Sequence, residues 1–124
     1  MALMDRKKLL AKRELKVEKV ELFGGEFVYV RQMTGRERDR WEISLMREER
    51  DEDDNVIMRQ SLDDFRAKLA VNTVCDENGN LLLKPEDVNT LSQNMTGAEL
   101  LKIANKAQEL NKITEADKKK LVKN

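Results

Sequence analysis

Leu100, Ile103, Ala104, Ala107 and Leu110 recur at steps of three and four residues behind Thr96. That spacing places all five on one face of an α-helix, and Thr96 is a strong N-cap for it. A helix with one unbroken apolar stripe must bury that stripe against another element. The rest of the chain therefore has to supply a facing layer. In residues 16–32 the hydrophobic pattern changes. Val17, Val20, Leu22, Phe23, Phe27, Val28, Tyr29 and Val30 are strand formers, interrupted by Gly24-Gly25. Two such runs around a short glycine turn predict a β-hairpin, with Leu22 facing Phe27 and Val20 facing Tyr29.

Thr34 with Glu37 forms a capping box and opens a second helix that carries Trp41 and Leu45. Its periodicity stops where charge accumulates, so 47–59 reads as a charged surface loop. Ser61 opens the next helix, with Leu62, Phe65 and Leu69 on its inner face and Val71 and Val74 extending it. Pro85 fits a first helical position, and Val88 and Leu91 point inward behind it. Thr114, with Asp117 three residues on, starts a last short segment that ends in Lys118–Lys120. Residues 1–15 form helix readily but lack a clean stripe, and 1–14 read as an arm. The expected fold is α+β and mainly α in one domain over 1–124. Its N-terminal hairpin packs on about four helices, and a second short hairpin lies between the middle ones. The expected core is Val20, Val28, Val30, Trp41, Leu45, Leu62, Phe65, Leu69, Val74, Leu82, Val88, Leu91, Leu100, Ile103, Ala104, Ala107 and Leu110.

The stretch Cys75–Val88, CDENGNLLLKPEDV, has the look of a calcium loop, with Asp76, Asn78 and Asn80 at alternate positions and Asp87 where a closing ligand belongs. The glycine is misplaced for that purpose. Such a loop needs its sharp turn at position six, where Leu81 stands, whereas Gly79 falls at position four. Asn78-Gly79 instead predicts a tight turn joining two short strands. No metal or cofactor is expected.

Histidine is absent, which removes Ser-His and Cys-His catalysis. The acidic neighbours Glu37/Asp39 and Asp63/Asp64 stand at helix starts, where acids are favoured in any case. No enzyme is expected. The single Cys75 rules out an internal disulfide and suits a reducing compartment, and no apolar run is long enough for a membrane span. The expected location is the cytoplasm. Lys+Arg and Asp+Glu balance at 24 each, which counts against a nucleic-acid binder driven by phosphate neutralisation. A small nucleic-acid-binding regulator nevertheless stands as the alternative, because Arg6–Lys19 carries seven cations against two acids.

In order along the chain, ELKVEKVELFGGEFVYVRQMTGRERDRWE, the CDENG hairpin, and LLKIANKAQELNKIT with its Leu-Asn end resemble the tail assembly chaperones of long-tailed bacteriophages over about residues 13–116. Trp41, where phenylalanine is commoner, and the charged 47–55 insertion depart from the pattern. The resemblance implies a non-catalytic assembly factor that binds the tape measure protein and keeps it soluble while the tail tube polymerises. It also implies self-association, and contact with the tail tube protein through a longer form made by ribosomal frameshifting, which the lysine run and Val122–Asn124 end would suit. Such a protein needs exposed apolar surface. The candidates are Leu3, Met4, Leu9, Leu10, Met33, Met46, Met58 and Met95, methionine being adaptable to irregular partners.

Overall fold

The computed structural model describes residues 1–114 and Asp117. The order is α1 (Arg6–Leu10), β1 (Val17–Glu21), β2 (Phe27–Arg31), α2 (Gly35–Ser44), β3 (Met46–Arg50), β4 (Val56–Gln60), α3 (Phe65–Val71), β5 (Val74–Cys75), a 3-10 turn (Pro85–Asp87), α4 (Val88–Asn94) and α5 (Gly97–Leu110). Strands β1, β2 and β5 form an antiparallel sheet with β2 in the middle, and β3 and β4 form a separate two-stranded ribbon. The α+β fold expected from the sequence is present. The hairpin lies against α5, and α3 packs between α4 and α5.

The core joins one face of the sheet to the stripe of α5. Val20, Val30 and Val74 meet Trp41, Leu45, Leu69, Ala70, Ile103, Ala104 and Ala107. Ala67 and Ala70 on α3 and Ala104 and Ala107 on α5 are buried. Small side chains on both helices let their backbones approach closely, and the larger Leu69, Leu100 and Ile103 fill the space around them. Trp41 is fully buried, and its ring meets Phe65 edge-on at 5.6 Å between centroids. Lys68 Nζ donates to the Ser44 carbonyl at 2.9 Å, giving one of the last carbonyls of α2 a cationic partner.

Several expectations need correction. Leu62 and Leu82 are exposed rather than core, and Val28, Phe65, Val88 and Leu91 are half-buried. Helix α3 starts at Phe65, not after Ser61. Asp64 takes a left-handed conformation (φ 56°), which breaks the helical phase and turns Leu62 off the inner face. Leu82 is exposed because Cys75 bridges to Leu81, and successive strand residues point to opposite sides. Hairpin pairing is also shifted by one: Val20 faces Val28 and Glu21 faces Phe27. The turn holds three residues, Phe23 to Gly25, closed by Leu22 N–H donating to the Glu26 carbonyl, with both glycines at positive φ. A one-residue slip exchanges the two faces of a strand, which is why Tyr29 lies on the outer side.

The expected charged loop 47–59 is the β3–β4 ribbon. Its turn, Asp51-Glu52-Asp53-Asp54-Asn55, repeats the geometry of Asp76-Glu77-Asn78-Gly79-Asn80. In each, the first Asp N–H donates to the closing Asn carbonyl, its own carbonyl accepts the N–H of the fourth residue, and its Oδ1 accepts N–H bonds from the third and fifth residues at 2.8–2.9 Å. The fourth residue has positive φ in both, Asp54 at 63° and Gly79 at 83°. Both turns carry a DE-x-x-N pattern, and the expected charged loop took no account of it as a turn signal in 51–55. In the 76–80 turn only Gly79, and not Asn78, is left-handed, so it is not the two-residue form expected. Thr114 and Asp117 exchange capping hydrogen bonds at 2.9 and 3.2 Å. The expectations for Lys118–Lys120 and Val122–Asn124 lie outside the described residues.

Candidate interaction surface

The block on which the resemblance rests builds a joint. Arg31 is buried at the end of β2 and makes a two-pronged bond to Glu37, at 2.9 and 2.7 Å. Glu37 Oε1 also accepts the Thr34 N–H, while Thr34 Oγ1 accepts the Glu37 N–H, which completes the expected capping box. Hydrogen bonds from the Arg31 guanidinium hold the Glu37 carboxyl below its ordinary range; burial works against this and loses. From the other side Asn111, just past α5, accepts the Met33 N–H at 2.7 Å on Oδ1. Its backbone carbonyl accepts from Arg38 at 2.9 Å. TGRER and the Leu-Asn end thus lock β2, α2 and α5 together, and the charges of Glu37 and Arg38 serve the fold.

Of the other acidic candidates, Asp39 is exposed with no hydrogen-bond or ion-pair partner among the described residues, and the rest are engaged. Asp63 pairs with Arg47, and Asp64 accepts from Ser92 Oγ at 2.6 Å. Asp76 is occupied by its own turn. Among the described residues no group of three or more potential metal ligands converges. Cys75 is buried, and its surroundings push the thiol pKa up, away from reactivity.

The partner-binding candidates divide by position. Leu3, Met4, Leu9 and Leu10 are exposed on an arm in which every residue from 1 to 14 is exposed. Met58 is exposed on β4, and Met46 is half-buried at the root of the ribbon. Met33 belongs to the core, and Met95 packs against it. Both precede a capping threonine, in MTGRE and MTGAE. A residue at that position folds down over the first helical turn, so the capping boxes already marked these two as inward.

Two surfaces were not anticipated. A groove of about 400 Å³ runs between α3 and α5, with Leu62, Phe65, Leu100 and Leu101 as its apolar lining and Asp64, Arg66, Asn105 and Gln108 among its polar residues. Leu62 and Leu101 are exposed there. A groove between two helices that mixes these apolar side chains with polar ones can take the apolar face of a third, amphipathic helix. The second surface is the tip of the β1–β2 hairpin, where Phe23 and Phe27 flank the glycine turn and are exposed. Lys102 Nζ lies 4.6 Å from the Phe23 ring centre and Lys19 Nζ 4.3 Å from that of Phe27. The expected pairing set Phe27 against Leu22 across the hairpin; the actual register puts it opposite Glu21 and leaves it exposed.

The molecule is thus a small α+β protein, a sheet-and-helix body with an interhelical groove, an exposed arm and a two-stranded ribbon. A family model described as phage tail assembly chaperone matches residues 4–120, and the chain belongs to that family. The fold is similar to a solved structure titled as the bacteriophage HK97 tail assembly chaperone. The TM-score is 0.58 at 13% identity, covering 89% of this chain and 95% of that one. No curated protein matches the sequence. No helix among the described residues is long and apolar enough to cross a membrane.

Proposed function

We propose that this chain binds the tape measure protein, a long and largely helical client, and keeps it soluble in the host cytoplasm while the tail tube polymerises. The observation that carries this reading is the α3–α5 groove, where the exposed Leu62 and Leu101 stand with Phe65 and Leu100 among polar side chains. An amphipathic helix presents apolar side chains at i, i+3, i+4 and i+7, and such a groove takes them in turn. The role is non-catalytic. The chain also associates with itself, and a longer frameshifted form reaches the tail tube protein. Leu3, Met4, Leu9, Leu10 and Met58 belong to the partner-binding surface, with Met46 at its margin.

The test is co-expression with the large coiled-coil protein encoded just downstream. The client is expected to stay soluble and co-purify with the unaltered chain, and to precipitate when Leu62→Asp and Leu101→Asp are combined. Both side chains are exposed, so the fold should survive the change, which circular dichroism would check. A client equally soluble with and without this chain would overturn the reading.

A further inference from the structure

We propose that copies of this chain dock head to tail, the basic N-terminal arm of one lying on the face of the β3–β4 ribbon of the next that carries Met46, Glu48, Val56 and Met58. The inference rests on the self-association proposed above and names the surfaces that perform it.

The ribbon has an uncovered face. Its pairing puts Met46, Glu48 and Arg50 on the same side as Gln60, Met58 and Val56. Val56 and Met58 are exposed, as is Ile43 at the adjoining end of α2. A shallow groove at the foot of the ribbon is lined by Ile43 and Met46 with Asp39, Glu42 and Gln60. A two-stranded ribbon is marginally stable alone, so a cover on this face would stabilise it.

Charge selects the cover. The chain is neutral overall, yet its two projecting parts are opposite in sign. The arm, residues 1–14, holds five cations and two acids, which gives 5 − 2 = +3, and the ribbon, Met46–Gln60, holds three arginines and six acids, which gives 3 − 6 = −3. Among the described residues Glu48, Glu52 and Asp53 have no ion-pair partner, and neither do Arg6, Lys7, Lys8 and Lys12 on the arm. Leu9 and Leu10 stand beside those cations, matching Val56 and Met58 beside those acids. Both surfaces thus combine apolar side chains with uncompensated charge, and they complement each other.

Placement favours a contact between copies. The arm joins the body near Gln32–Gly35 and Arg38, at the start of α2, and the ribbon leaves from the end of α2. Ten helical residues separate the two by about 15 Å. Two different surfaces at opposite ends make a heterologous contact, which propagates into a ring or an open helical array.

The experiment measures the mass of the full chain by analytical ultracentrifugation across concentration, at low and high salt. Two charge-reversed variants are compared, one carrying Lys7→Glu, Lys8→Glu and Lys12→Glu, the other Glu48→Lys, Glu52→Lys and Asp53→Lys. The unaltered chain is expected to assemble at low salt and dissociate at high salt. Each variant should associate about tenfold or more weakly. An equimolar mixture of the two should reassemble, because each reversed surface then meets its complement. Unchanged assembly in either variant, or no recovery in the mixture, overturns the arm–ribbon contact and leaves self-association standing through another face. A chain that stays monomeric throughout, including one whose arm folds back on its own ribbon, overturns both. The client test with Leu62 and Leu101 is read independently of either outcome.

Discussion

Arg31 and Glu37 show how one pair can hold three elements. The Arg31 side chain is 7% exposed and that of Glu37 22%, so removing the carboxylate leaves a cation with little water to receive it. Glu37→Gln is expected to cost about 3–5 kcal/mol in urea unfolding. The pH dependence has a definite sign. Glu37 is held below its ordinary range when folded, so its contribution is complete above an unfolded value of about 4.3 and fades as pH falls through the folded value. The stability gap between the parent chain and Glu37→Gln should therefore narrow below about pH 4. Trp41 offers a second test. Its indole Nε1 has no hydrogen-bond partner among the described residues although the ring is fully buried. Trp41→Phe deletes that orphan donor together with some volume, and the two effects oppose. It should cost less than about 2 kcal/mol, against about 3–5 for Trp41→Ala, by the same denaturation measurement.

Elements follow from local chemistry wherever a cap or turn is self-contained. Thr34/Glu37 and Thr96/Glu99 open α2 and α5 where the sequence places them. The 76–80 turn was legible as a turn but not in its form, because which residue goes left-handed depends on how Asp76 binds the backbone N–H groups. The sister turn carries Asp54 where this one has Gly79. A Cβ at Gly79 would meet Val17 at an ordinary 3.7 Å, so substitution there strains conformation and not space. Gly79→Val should destabilise by about 1–3 kcal/mol, and Gly79→Asp by distinctly less, since aspartate tolerates left-handed backbone and a β-branched residue does not. Thermal unfolding of both variants compares them directly. The ribbon was missed because charge hid its strand pattern. Glu48, Glu49 and Arg50 face water, and only pairing with Val56–Gln60 makes them a strand.

At the scale of the molecule, stability and binding occupy different parts. The arm buries no residue in α1, and the ribbon supplies none of the core cluster. Deleting residues 1–14 should therefore move the melting temperature by less than the roughly 4–8 °C that 1 kcal/mol represents in a domain of 60–100 residues, while abolishing salt-sensitive assembly. Scanning calorimetry with ultracentrifugation checks both halves. A large drop in melting temperature would mean that the arm is part of the body.

Local chemistry alone determined the helix starts at Thr34 and Thr96, the glycine turn of the first hairpin and the five-residue stripe of α5. Each depends on residues within a few positions of one another, where hydrogen-bond geometry and periodicity leave little choice. Tertiary contacts decided the rest. β5 joins β2 as a third strand, Asn111 reaches back 78 residues to the Met33 N–H, and Leu62 turns from the core to the rim of the groove. These outcomes rest on partners far away in the chain. Whether an apolar side chain is buried or presented is settled by what arrives opposite it, and that is a property of the folded whole.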